Sequence, residues 1–67
     1  MKIKKVKWRD SQMYINQELT TTDWKVAIIE SVGFVLEEDK EKLVLAGDLV
    51  GEDARRVLVI PKENIIK

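Results

Sequence analysis

Two short apolar runs separated by charged residues dominate the middle of the chain. Val32 and residues 34–36 form the first run and residues 43–46 the second, and both are rich in branched side chains. Between them, residues 37–42 (EEDKEK) are six consecutive charges, which a small core cannot bury without a large free-energy cost. The pattern predicts a β-hairpin over residues 31–48 whose tip is exposed to solvent.

The segments before this hairpin are less regular. In residues 1–9, Val6 and Trp8 alternate with lysines, which predicts a first strand with one apolar face. Residues 10–22 keep no sustained period, so this segment is either a long loop or contains a short helix. Residues 23–30 fit a short helix or a strand entering the hairpin, and their branched side chains favour the strand.

Glycine and proline mark the remaining boundaries. Gly33 lies inside a predicted strand, where a missing side chain permits a bend, a bulge or a close backbone approach. Residues 47–54 carry two glycines and three acidic residues, which predicts a loop. Residues 55–60 then predict a strand covered on both faces, ended by Pro61, a turn over 62–64 and a last short strand at Ile65-Ile66. Five short strands predict an all-β fold, a small barrel.

Length and composition limit what this barrel can be. Sixty-seven residues make one domain over residues 1–67, because a chain of this size buries only roughly 60% of its unfolded surface. The chain has no cysteine and no histidine, so it lacks disulfides, thiolate chemistry and the usual zinc ligands. Small domains without such staples often gain stability by association, and we expect a homo-oligomer.

The charge balance gives no overall attraction to nucleic acid or to a membrane. Twelve basic residues match twelve acidic ones, although a local patch could still act. The longest apolar runs have four residues, too few to span a bilayer, and the N-terminus lacks the apolar core of a signal peptide. We therefore expect no membrane association and a cytoplasmic location.

The candidate catalytic and metal-binding groups do not form a recognisable pattern. Glu37, Glu38, Asp39 and Glu41 are the densest acidic cluster, but they lack the loop spacing that wraps calcium, and a solvated hairpin tip explains them better. Residues 47–51 lack the lysine-serine sequel of a phosphate loop. We expect no enzymatic activity, no cofactor and no metal.

Two sets of residues are candidates for binding. Trp8 lies between Lys7 and Arg9, as a base-stacking residue would, but a core this small needs its aromatic side chains, so packing is the favoured interpretation. The candidate nucleic-acid contacts are Lys4, Lys5, Lys7, Trp8, Arg55, Arg56 and Lys62. The candidate oligomer interface, at open sheet edges, is Val57, Leu58, Val59, Ile60, Ile65 and Ile66.

From Gly33 onward the chain resembles the Sm-like family of small SH3-like barrels. In that family a strand with a glycine and an acidic turn lead to an apolar strand, followed by a short strand, a tight turn and a closing strand. The matching residues are Val32-Gly33-Phe34-Val35-Leu36, Asp39, Leu43-Val44-Leu45, Val57-Leu58-Val59-Ile60 and Pro61-Lys62-Glu63-Asn64-Ile65-Ile66. The resemblance implies a five-stranded SH3-like (Sm-like) barrel with strongly bent strands.

The same resemblance bears on function. In the family an asparagine follows the aspartate and the two shape a uridine pocket, whereas Lys40-Glu41-Lys42 stand in that region here, and Pro61-Lys62 stand where the family has an arginine-glycine pair. These departures affect the family's edge-to-edge assembly less than its uridine pocket, because that assembly depends on backbone groups. The resemblance therefore implies self-assembly more than RNA binding. The chain also resembles short phage or prophage proteins of unknown function, through Val6-Lys7-Trp8-Arg9-Asp10-Ser11, Ser31-Val32-Gly33-Phe34 and Ile60-Pro61-Lys62.

We therefore expect a self-assembling structural or protein-interaction module, with a phage or prophage origin implied by the second resemblance. The alternative is an Sm-like protein that binds RNA or single-stranded DNA through its basic residues.

Overall fold

The computed structural model describes residues 1–11 and 24–67, and the described residues form one antiparallel sheet. Its strands follow the chain order β1-β2-β3-β4, which confirms the all-β prediction. Residues 12–22 of the predicted irregular segment 10–22 lie outside the described residues, and Asp10 ends the first strand. The elements are β1 (Ile3–Asp10), β2 (Ala27–Glu38), β3 (Lys42–Val50), β4 (Asp53–Pro61) and a 3-10 turn (Lys62–Asn64).

The described residues do not form the predicted closed barrel of five strands. Their sheet is open and has four strands, with β1 at one edge and β4 at the other. At the predicted fifth strand, Ile65 forms a single bridge with Trp8, and the Ile66 N–H donates to the carbonyl oxygen of Lys7 at 2.8 Å. The 3-10 turn brings the chain back to β1. After this turn the described structure has the short contact with β1 and no further strand.

The strand favoured for residues 23–30 is confirmed from Ala27 onward. β2 is twelve residues long and pairs with β1 from Ala27 to Phe34. Along it, Ile29 and Val35 pack against the core, whereas Ile28 and Val32 lie exposed on the opposite face. This period of two is what a strand requires, and it would not fit a helix.

Gly33 is the point at which two backbones approach each other. A Cβ atom on Gly33 would lie 2.6 Å from the carbonyl oxygen of Ala46, so the predicted close approach is confirmed. The pairing between β2 and β3 begins at the next residue, Phe34, and its register shifts between Val35 and Glu37. The first half of β2 therefore pairs with β1 only, and the second half holds β3.

The second hairpin is longer than the sequence predicts. The loop predicted over residues 47–54 is wrong, because β3 continues to Val50 and β4 starts at Asp53. The turn between them contains Gly51, whose φ of 58° lies in the left-handed region that glycine adopts without strain. Gly47 instead lies within β3, where the guanidinium group of Arg56 covers it.

The core lies on one face of the curled sheet. Val6 and Trp8 from β1 meet residues of β3 and β4, and Ile29, Val35, Leu58 and Ile65 pack around them. Trp8 is 5% exposed, and its Nε1–H donates to the Ser31 hydroxyl at 3.0 Å, so the packing interpretation of this indole is confirmed. The buried core residues are Val6, Trp8, Leu43, Leu45 and Ile60.

Candidate functional site

The outer edge of β4 is the candidate site, because no strand within residues 1–11 and 24–67 pairs with it. Its inner edge pairs with β3, and the Lys62 N–H continues that ladder by donating to the carbonyl oxygen of Glu41 at 2.8 Å. In an antiparallel ladder, hydrogen-bonded pairs alternate with non-hydrogen-bonded ones. From Val57 to Pro61, where the pairing with β3 is continuous, every second residue of β4 therefore turns its N–H and C=O away from β3.

Val57 and Val59 belong to this outward-facing set, together with Pro61. The set is not extended to Arg55, because the pairing skips Gly47 and Arg56, and Arg56 has a φ of 53°. The side chains of the two valines are exposed as well, Val57 by 49% and Val59 by 57%. The row of donors ends at Pro61, which has no N–H. The prediction that both faces of this strand are covered is therefore wrong, since Val57 and Val59 leave one face apolar and open to solvent.

The outer edge of β1 differs from that of β4. Lys5 and Lys7 alternate with the core residues, and their side chains are 71% and 55% exposed. Lysines along an edge strand disfavour pairing with another sheet. The Ile66 N–H also occupies the carbonyl oxygen of Lys7. We conclude that β4 offers the more accessible of the two edges.

The structure does not bring the six predicted interface residues together. Val57 and Val59 lie on the open face of β4, whereas Ile60 is fully buried and Leu58 packs against the core. Ile65 and Ile66 are half-buried and lie at the β1 edge, at the other side of the sheet. Of the predicted set, only the two valines combine an exposed side chain with outward-facing backbone groups.

The predicted basic contacts are mostly engaged in ion pairs. Lys4 and Lys62 share the Glu38 carboxylate, with Nζ–Oε2 distances of 2.9 and 2.7 Å. Lys5 and Lys7 both approach Glu30, at 3.5 and 3.6 Å. Each basic group therefore has a carboxylate beside it, which reduces the local positive field.

The remaining predicted nucleic-acid contacts are spread over the sheet. Arg56 holds Asp48 with two hydrogen bonds of 2.8 and 3.1 Å, and Arg55 is exposed on β4. Trp8 is buried, so its ring faces are not open for base stacking. Nucleic-acid binding stays a prediction from the sequence.

The hairpin tip is a second cluster of charges, organised by Asp39. Its Oδ1 accepts hydrogen bonds from the backbone N–H groups of Glu41 and Lys42, at 2.8 and 2.9 Å. The hydrogen bond from the Lys42 ammonium group, followed by these backbone bonds, lowers the pKa of Asp39 to about 2. This exposed turn agrees with the solvated tip predicted from the sequence. The Asp39 carboxylate stabilises the turn through these hydrogen bonds.

Glu38 links three elements of the fold. It ends β2, and its carboxylate binds Lys62 of the 3-10 turn and Lys4 of β1. The hydrogen bond from Lys62, with that from Lys4, lowers the pKa of Glu38 to about 2. This carboxylate therefore holds the turn beside β1, next to the place where Ile65 bridges Trp8.

We expect Glu38→Gln to reduce the acid sensitivity of the fold. The depressed pKa means that the stabilising contribution of Glu38 is present above its unfolded value of 4.5 and is lost as the pH falls towards about 2. In the variant, the free energy of unfolding should change less over this range. Urea unfolding at about pH 6 and about pH 3, followed by tryptophan fluorescence, measures the change.

The matched control for this measurement is Glu63→Gln. Glu63 is an exposed glutamate in the same 3-10 turn as Lys62, so its loss should leave the pH dependence of wild type in place. Wild type and Glu38→Gln with the same pH dependence would contradict the role assigned to Glu38.

A cleft of about 410 Å³ opens where β2 and β3 diverge. Ser31 and Glu30 line one side, and Gly47 and Arg56 the other. Their polar groups already have partners, since Ser31 accepts from Trp8, Glu30 pairs with lysines and Arg56 with Asp48. The cleft brings together no nucleophile and base, and the described residues hold no group of three acidic side chains placed to bind a metal ion.

Comparisons with protein-family models, curated proteins and solved structures find no match to this chain. Among the described residues, no helix is long and apolar enough to cross a membrane.

Sequence reasoning missed the open face of β4 and the role of Glu38. On β4 the exposed Val57 and Val59 alternate with Leu58 and Ile60 of the core, but all four residues are apolar, so the sequence did not show which of them are exposed. The pairing of Glu38 with Lys4 and Lys62 had no local signal, since these residues are separated by 34 and 24 positions.

Proposed function

We propose that this protein is a self-assembling structural or protein-interaction module that uses the outer edge of β4. The observation that carries this proposal is the coincidence of outward-facing backbone groups with two exposed valines at Val57 and Val59. A strand edge of this kind is a ready template for pairing with another chain. Association would satisfy the backbone groups and remove the valines from water.

The finer fold assignment, an SH3-like or Sm-like barrel, is part of the same proposal. It is supported by the order of elements after Gly33, in which β3 and β4 are followed by a tight turn and a contact with β1. Glu38 and Lys62 hold that turn in place. In this assignment the residues Ile65 and Ile66 would be the closing strand, reduced here to its first contact.

We expect Val59→Lys to weaken self-association by at least about tenfold, which corresponds to about 1.4 kcal/mol. The lysine would place a charge on the pairing edge, as natural edge strands do to prevent association. Light scattering coupled to size exclusion, over a range of protein concentrations, measures the mass and its dissociation. A wild-type protein that stays monomeric at all concentrations would refute the proposal.

The matched control is Val32→Lys. Val32 is also an exposed valine, at 65%, but it lies on β2 away from the β4 edge, so the same substitution should leave association unchanged. A second variant, Val59→Pro, removes an N–H that the ladder to β3 does not use. It should weaken association more than it weakens folding, because proline is tolerated on edge strands.

A further inference from the structure

We infer that β4 pairs antiparallel with β4 of a second copy, about a two-fold axis that passes beside Leu58. This inference rests on the proposed function, and it specifies the partner strand, its direction and its register. In this register Val57 lies opposite the partner's Val59, and Val59 opposite the partner's Val57.

The backbone restricts which registers are possible. Only outward-facing residues can exchange hydrogen bonds across the new pair, so Val57, Val59 and Pro61 must face members of the same set. Three symmetric registers place the apolar part of the edge at the centre. Val57 faces its own copy, Val59 faces its own copy, or Val57 faces the partner's Val59.

The side chains distinguish these three registers. If Val57 or Val59 faced its own copy, only one pair of valines would meet. In the register that places Val57 opposite the partner's Val59, all four exposed valines of the dimer face one another, and directly opposed branched side chains stabilise antiparallel pairs. Because a buried face of this kind sets strand register, the geometry favours the axis beside Leu58.

The end of β4 at Pro61 limits the new pair to its centre. Pro61 has no N–H to donate, so the backbone groups that exchange hydrogen bonds are those of Val57 and Val59. The antiparallel direction also sends the arginines of the two copies to opposite ends of the pair. Parallel strands in register would place Arg55 beside its own copy, and like charges in that position are destabilising.

A two-fold axis closes the assembly at two copies. Each dimer uses both of its β4 edges, and the outer edges of β1 carry the exposed Lys5 and Lys7 and the contact with Ile66. Head-to-tail pairing of β4 with β1 would be required for a ring or a filament, and these lysines disfavour it. The described strands of the two copies then form one continuous sheet of eight, four from each copy.

Disulfide trapping tests the register, because the chain contains no cysteine of its own. Directly opposed residues of an antiparallel pair have Cα atoms about 5.5 Å apart or closer, which a disulfide can bridge, whereas a shift of two residues adds about 7 Å along the strand. Val57→Cys mixed with Val59→Cys should therefore form a cross-linked dimer under mild oxidation. Each variant alone should cross-link at least about tenfold less, and Val32→Cys should serve as the control that does not cross-link.

The possible results separate the register from association itself. Efficient cross-linking of Val57→Cys alone would show the register centred on Val57, and efficient cross-linking of Val59→Cys alone would show the register centred on Val59. Either result would overturn this inference, while the proposed function would stand. A reduced protein with a mass of more than two copies in light scattering would also overturn it. A reduced protein that is monomeric at all concentrations would refute both proposals.

Discussion

Gly33→Ala is expected to destabilise the protein by on the order of 3 kcal/mol, the upper end of the cost of overpacking. The new Cβ atom would lie 2.6 Å from the carbonyl oxygen of Ala46 and 3.2 Å from the Cβ of Leu45. The first of these atoms belongs to the backbone of β3, so it cannot move away as the end of a flexible side chain could. Relief would require β2 and β3 to separate where their pairing begins, at Phe34 and Ala46.

The size of this effect is large for a chain of 67 residues. At roughly 0.05–0.15 kcal/mol per residue, a domain of this length has a total stability of about 3–10 kcal/mol. Gly33→Ala could therefore remove a large share of the free energy of unfolding. Urea unfolding followed by tryptophan fluorescence, with the folded baseline checked by circular dichroism, measures the loss.

Gly47→Ala is the matched control for this experiment. Gly47 lies in β3, and a Cβ there would meet the guanidinium group of Arg56 at 2.9 Å. This group ends a flexible side chain, so it can move at the cost of its hydrogen bonds to Asp48, which are exposed and contribute little to stability. A loss of stability in Gly47→Ala equal to that in Gly33→Ala would contradict the importance given to the backbone contact.

The sequence was sufficient to predict the parts of the fold that depend on local pattern. The alternation around Val6 and Trp8 identified β1 and its buried face, and the charges between the two central apolar runs identified the first hairpin. For Gly33 the sequence left a bend, a bulge or a close backbone approach open, and the structure shows the close approach. Each of these signals lies within a few residues of the feature that it predicts.

The predictions that were wrong depend on distant residues. Gly47 looked like part of a loop because its cover, the side chain of Arg56, comes from the next strand. The run from Val57 to Ile60 looked buried on both faces because an apolar run does not show whether a second layer covers it. In the described structure the core lies on one face of the sheet, and the other face of β4 stays open.

The predicted binding residues also depend on distant parts of the chain. A list of basic residues contains no information about their partners, and the structure places Glu30, Glu38 and Asp48 beside them. Of the candidate interface residues on β4, Val57 and Val59 are exposed, and the interface itself stays a prediction. What the sequence could not indicate is which alternate residues of this strand turn their backbone groups outward, because that depends on the register with β3.

The neighbouring residues Ile60 and Val59 allow stability and association to be changed separately. Ile60 is fully buried and lies opposite Leu43 in the ladder, so Ile60→Ala removes apolar volume from the centre of the core. We expect a loss of about 2–5 kcal/mol in the free energy of unfolding, the range found for such truncations. Urea unfolding at a protein concentration below that at which wild type associates measures this loss without the contribution of association.

Val59→Ala, one residue away on the same strand, should weaken association and leave the stability of the monomer almost unchanged. Its side chain is 57% exposed and directed away from the core, so the free energy of unfolding of the monomer should fall by about 1 kcal/mol or less, within the range of strand propensities. Dissociation of the assembly, measured by light scattering, should increase instead, because two of the four valines at the proposed axis are shortened. If Val59→Ala lowered monomer stability as much as Ile60→Ala and left association unchanged, the outer face of β4 would be a folding surface, and its assignment as an edge for self-assembly would be wrong.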